Sequence, residues 1–153
     1  MKKDVLIHIR GKVTAEGSEP DVIELMTDGR YYGKDGKYYI IYKETEASGY
    51  KGAVTTLKVE GEDCVTMIRR GPAQANLILE QGLRHLCRYE TGEGELMVGI
   101  SDCRIHSGLG ERGGDLKFRY SLDINSNLVS HNEVSISVRE AGKSNDRSIE
   151  CGN

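Results

Sequence analysis

This chain of 153 residues has no CxxC pair, no long apolar run and no basic stretch, and each absence excludes a class of protein. Its four cysteines, Cys64, Cys87, Cys103 and Cys151, stand 23, 16 and 48 residues apart, which is not zinc-site spacing. Free thiols are expected, three of them inside strands and Cys151 in a loose tail. Nowhere do apolar residues approach the roughly 18 in succession that a membrane-spanning helix needs. At the amino terminus, Val5-Leu6-Ile7 is cut off by His8 and Arg10, too short for a signal-peptide core, so a cytoplasmic protein is expected. Lys and Arg number 21 against 24 Asp and Glu, mixed along the chain, for a formal charge of −3. That balance argues against a nucleic-acid reader, whose affinity rests on phosphate neutralisation. A phosphate loop is missing too, because Gly110-Glu111-Arg112-Gly113-Gly114 lacks the lysine and the following serine or threonine.

What is present is alternation. Hydrophobic residues make up 37% of the chain, little for one compact core unless every second strand residue faces water. Leu116, Phe118, Tyr120, Leu122 and Ile124 share one face of a segment whose other face is polar or charged. Val5, Ile7, Ile9 and Val13 do the same near the start, Tyr38, Ile40 and Tyr42 near the middle, and Val134, Ile136 and Val138 near the end. Asp35-Gly36 between two such runs predicts a type I′ hairpin, and further turn signals follow at Glu60–Asp63, Gly71-Pro72, Gln81-Gly82, Gly92–Gly94, Gly108–Gly114 and Asn125–Asn127. Ten strands are predicted, near residues 3–14, 21–33, 36–46, 52–60, 63–70, 74–80, 83–91, 95–107, 115–125 and 128–140. Pro72–Arg88 comes closest to a helix, but Gly82 interrupts it. Closing the sheet removes its edges, and consecutive hairpins without a long crossover favour an antiparallel up-and-down barrel of about 8–10 strands over a β-sandwich. A single domain over 1–141 and a flexible polar tail over 142–153 complete the expectation.

Asp28-Gly29-Arg30-Tyr31-Tyr32 followed by Tyr39–Glu44 resembles the opening of the YwiB-like family of uncharacterised bacterial proteins. Val65–Gly71, and Tyr89-Glu90-Thr91 with Gly94-Glu95-Leu96, resemble further family segments, in the same order and spacing from about Lys2 to Ala141. The resemblance implies a calycin-like barrel, similar in shape to lipocalins and fatty-acid-binding proteins, and implies no activity. This chain also departs from the ligand carriers of that shape. It has no tryptophan, so the lipocalin glycine–x–tryptophan signature is missing. Thr14–Pro20 leaves no room for a helical lid, so likeness of fold is only an analogy for function.

Two constellations stand out. Tyr31, Tyr32, Tyr38, Tyr39 and Tyr42 crowd around the Asp35-Gly36 turn, either as a stacking surface for a flat ligand or as a cross-strand aromatic ladder that stabilises the hairpin. Arg69 shares a face with Val65 and Met67, so it points into the barrel near its rim. There it either binds an anionic ligand or pairs with an internal carboxylate. The candidate ligand-binding residues are therefore Arg69, Tyr31, Tyr39 and Tyr42. The four histidines, His8, His85, His106 and His131, lie on different strands without metal-site spacing. No catalytic residue, metal ligand or cofactor is assigned. The function classes ranked are a non-catalytic small-ligand-binding barrel for an anionic or aromatic ligand, then a module that docks a protein partner or a second copy, then an enzyme.

Overall fold

Period-two patterning resolves into ten antiparallel strands in a computed structural model, which describes residues 2–46, 50–72, 74–91 and 94–141. They are β1 (Lys3–Ala15), β2 (Asp21–Lys34), β3 (Lys37–Lys43), β4 (Val54–Glu60), β5 (Cys64–Arg70), β6 (Ala75–Glu80), β7 (His85–Thr91), β8 (Gly94–Ser107), β9 (Gly113–Ile124) and β10 (Asn127–Glu140). Each strand pairs with its sequence neighbour, and β1 pairs with β10 from Val5↔Glu140 to Ala15↔Ser130, so the sheet closes into a barrel. The expected strand order and barrel closure are thus both observed, and the sandwich is not. Asp35 and Gly36 both take positive φ, 53° and 78°, as the expected hairpin requires. The tail over 142–153, with Cys151, lies outside the described residues.

The two ends of the barrel differ. Around the β2–β3, β4–β5 and β8–β9 connections the interior is filled by Val5, Ile7, Tyr31, Ile40, Val59, Val65, Leu79, Leu116 and Val138, all buried. The Tyr31 hydroxyl donates to the carbonyl of Gly110 at 2.7 Å, which ties β2 to the glycine-rich β8–β9 loop. That segment, one of the turn signals of the sequence, is a closed hairpin: Gly108 N–H donates to the Asp115 carbonyl, and Gly110 and Gly113 bridge.

Two irregularities set side-chain direction. Across β8 and β9, Ser101 faces Ser121 and Arg104 faces Arg119, so β8 spends three steps where β9 spends two. This bulge, with Asp102 at φ 54°, reverses the parity of β8. Val98 and Ile100 face inward before it, Cys103 and Ile105 after it. The β6–β7 seam is the weak one: only Ala75↔Tyr89 and Asn76↔Arg88 pair, and the Ile78 N–H donates to the sulfur of Cys87 instead. Cys64, Cys87 and Cys103 are free, as their spacing predicts, and burial pushes the Cys103 thiol up to about 11.

Candidate ligand-binding site

The other end of the barrel, below the β1–β2, β3–β4, β5–β6 and β9–β10 connections, is hollow. A cavity of about 410 Å³ lies there, within the size range of small-ligand pockets. Its walls include Ile9, Leu25, Leu57, Leu77, Phe118 and Ile136, the inward residues of six strands.

One side of this cavity is polar. Val65, Met67 and Arg69 alternate inward on β5, as the sequence predicts, and Arg69 is only 9% exposed. Its carboxylate partner is Glu44, one residue beyond the end of β3. Nε of Arg69 lies 3.7 Å from Glu44 Oε2, and the two side chains are 9% and 3% exposed. Between them on β4 stands Thr55, whose hydroxyl donates to the same Glu44 oxygen. Glu44, Thr55 and Arg69 therefore lock β3, β4 and β5 together. The loop that carries Glu44 is itself pinned, its N–H donating to Ala53 O at 2.8 Å.

Arg69 is under-bonded all the same. Among the described residues Nε is buried without a hydrogen-bond partner, and Nη2 reaches the sulfur of Met67, at 3.9 Å. The guanidinium lies flat over Tyr50, 3.8 Å from the ring centre, and Tyr50 shares a 2.6 Å hydrogen bond with the hydroxyl of Tyr89. Such stacking holds the cation without using its N–H groups. Burial raises the Tyr42, Tyr50 and Tyr120 hydroxyls well above the usual tyrosine value, Tyr50 to about 12 with help from Tyr89. All three stay neutral O–H donors at physiological pH. With Arg69 they give the pocket several donors, beside the buried carboxylate of Glu44 and the more exposed one of Glu133.

The four candidate residues separate. Arg69 and Tyr42 line the cavity together. Tyr31 faces inward at the filled end, where it stacks on Tyr38 with ring centres 5.5 Å apart. Tyr39 faces outward, directly opposite Tyr32, the two rings stacked at 4.6 Å. The tyrosine crowd is thus two cross-strand stacks on opposite faces, plus Tyr42 in the pocket. Both readings of Arg69 meet in one residue, since it has an internal carboxylate and spare donors. Tyr120 follows from the alternation of its segment, whereas Glu44, Tyr50 and Tyr89 carry no sequence signal beyond residue type. Glu44, Tyr50 and Tyr89 lie just outside strands or near their ends, where parity assigns no face.

The histidines stay apart, His8 on Glu24, His85 on Glu80 and His106 near Glu62. Among the described residues no cluster of three metal-ligating side chains forms. His131 and Ser121, which nothing in the sequence places together, are cross-strand partners with Nδ1 and Oγ 3.0 Å apart. Ser121 is 5% exposed.

Fold and site define a ten-stranded antiparallel barrel packed at one end and hollow at the other. The chain belongs to the DUF1934 family, a domain of unknown function whose family model matches residues 7–136. It is similar to the uncharacterized beta-barrel protein YwiB of Bacillus subtilis, at 28% identity over 120 residues, covering 78% of this chain and 82% of the relative. The crystal structure of the ywiB protein from Bacillus subtilis matches with a TM-score of 0.68 and 25% identity, over 89% of this chain and 92% of that one. The function is unknown. Among the described residues no helix is long and apolar enough to cross a membrane.

Proposed function

We propose that this protein is a non-catalytic barrel that holds a small amphipathic ligand in its interior, the acceptor-rich end of the ligand on Arg69 and the phenols of Tyr42, Tyr50 and Tyr89. The observation that carries this reading is the buried, under-bonded Arg69 guanidinium facing an apolar cavity of about 410 Å³. An empty pocket leaves the buried Nε of Arg69 unmatched, which costs free energy; a carboxylate or similar anion matches it. Ile23 and Val129 support entry from the hollow end, because both line the cavity and are 38% and 39% exposed. In this reading the barrel is calycin-like in use as well as shape, is a single domain with a short tail, and works in the bacterial cytoplasm without membrane or nucleic acid.

A second reading, docking of a protein partner or a second copy, is favoured by Leu83, Leu86 and Met97, exposed by 52%, 61% and 52% on the outer side of the weak β6–β7 seam. Native mass spectrometry of protein purified from its own host separates the two. A retained small-molecule mass, lost in Leu77→Trp, supports the interior ligand. A ligand-free dimer or heteromer supports docking and overturns the first reading.

A further inference from the structure

Outside the barrel the β8 bulge makes a second hollow. By reversing the strand's parity it turns Arg104 outward, directly opposite Arg119 on β9. Like charges directly opposed across strands repel, and no ion pair or hydrogen bond joins either guanidinium to another described residue. Glu133 stands across β10 from Arg119 in register, yet forms no ion pair with it. The two arginines border an open groove of about 1150 Å³ whose floor includes Ser101, Ser121 and His131 and whose far wall is the β6–β7 turn with Arg84. A smaller hollow of about 350 Å³ adjoins it, sharing Arg104 and Arg119 and adding His106 and Lys117. In a chain of net charge −3, this outer face of β8 and β9 gathers Arg104, His106, Lys117 and Arg119.

We infer that this groove binds the phosphate monoester group of a small molecule, clamped between Arg104 and Arg119. Two adjacent guanidinium forks match a tetrahedral dianion with two or more parallel N–H···O bonds, a geometry that lysines do not supply. Ser101 and the imidazole of His131 are further polar groups on the floor. The groove is much larger than one phosphate, which points to a phosphate carried on a larger body. Tyr120, the tyrosine among its described lining residues, belongs to the inward face of β9, and the imidazole of His131 alone does not make a stacking platform for a run of bases, as single-stranded nucleic acid would need. Its arginines point to the outer face of the sheet, away from the interior cavity, although Tyr120, Asn132 and Glu133 border both hollows.

The test is backbone-amide NMR of the full chain titrated separately with inorganic phosphate, AMP and a ten-nucleotide single-stranded DNA. Saturable shifts at Ser101, Arg104, Arg119 and Ser121 are expected with phosphate and, at lower concentration, with AMP. Arg104→Gln and Arg119→Gln should each weaken AMP at least tenfold, and Lys37→Gln, on the distant β2–β3 hairpin, should leave it unchanged. Phosphate should raise the melting temperature of the wild type. Both arginine variants should melt at least as high as wild type in phosphate-free, low-salt buffer, because a repulsion has been removed, and should not respond to phosphate. The proposal is overturned by shifts spread evenly over all basic residues, by AMP affinity unchanged in both variants, or by tighter binding of the oligonucleotide than of AMP.

Discussion

Replacing Arg69 by methionine keeps most of the stem volume and removes the charge, stranding Glu44 in the interior. At the observed 3.7 Å and an effective dielectric of about 20, the pair's attraction is about 4.5 kcal/mol. Desolvation of the two ions offsets much of that in the intact protein, but removing one partner leaves the other's desolvation uncompensated. Buried pairs broken in this way cost about 3–5 kcal/mol. The cation over Tyr50 adds about 0.5–2 kcal/mol. Arg69→Met should therefore destabilise the fold by about 4 kcal/mol, a large share of the roughly 5–15 kcal/mol of an ordinary domain. Arg69→Lys should recover only part, because lysine lacks the planar fork. Adding Glu44→Gln to Arg69→Met removes the stranded charge, so the double variant should be more stable than Arg69→Met alone. Urea unfolding followed by far-ultraviolet circular dichroism suits a chain without tryptophan, and exposed, outward Arg70 is the control, with Arg70→Met within about 0.5 kcal/mol of wild type. Equal effects at Arg69 and Arg70, or a double variant no better than the single, would refute the buried pair.

At the filled end, Tyr31→Phe loses the bond to Gly110 and should cost about 0.5–1.5 kcal/mol in the same assay while leaving interior binding untouched. A Cβ on Gly99 would lie 2.4 Å from Arg84 Nη2 and 2.5 Å from a carboxylate oxygen of Asp123, so Gly99→Ala should separate the bridge that crosses β8 there. The paired Arg84 holds the Asp123 carboxyl below its usual value, so this contribution is complete above the aspartate range near 4 and is lost as pH falls through the lower folded value. Acid unfolding should accordingly begin at higher pH in Asp123→Asn than in wild type. Alkali acts with the opposite sign. Unfolded tyrosines ionise near pH 10 while Tyr42, Tyr50 and Tyr120 stay protonated in the fold, Tyr50 to about 12. Stability should fall as pH rises above 10, and a cooperative jump in tyrosinate absorbance should coincide with loss of β-structure.

Strands, barrel closure and the inward direction of Arg69 were legible because parity along a strand needs no tertiary knowledge. The same parity puts Tyr38 and Tyr42 inside and Tyr39 outside, so Tyr39's distance from the cavity follows from the alternation already visible. The β8 bulge was not legible. One extra residue at Ser101–Arg104 reverses the faces of everything after it, and the polar residues Ser101 and Asp102 look like any exposed stretch. Glu44 and Tyr50 are not legible because they lie in the connection between β3 and β4, where the chain has no period and position is set by contacts such as Glu44 N–H to Ala53 O. The packing of one end and the hollowness of the other depend on how side chains from all ten strands interdigitate, which no single segment encodes.

Whether the hollow end of the barrel holds an amphipathic anion can be read by isotope-filtered NMR of the protein with labelled decanoate. Nuclear Overhauser contacts are expected from the alkyl chain to the methyl groups of Ile9, Leu57, Leu77 and Ile136, with decyltrimethylammonium failing to reproduce them because its head group opposes Arg69. Contacts confined to the exposed methyls of Met26, Leu86 and Met97, or equal occupancy by the cationic analogue, would contradict it.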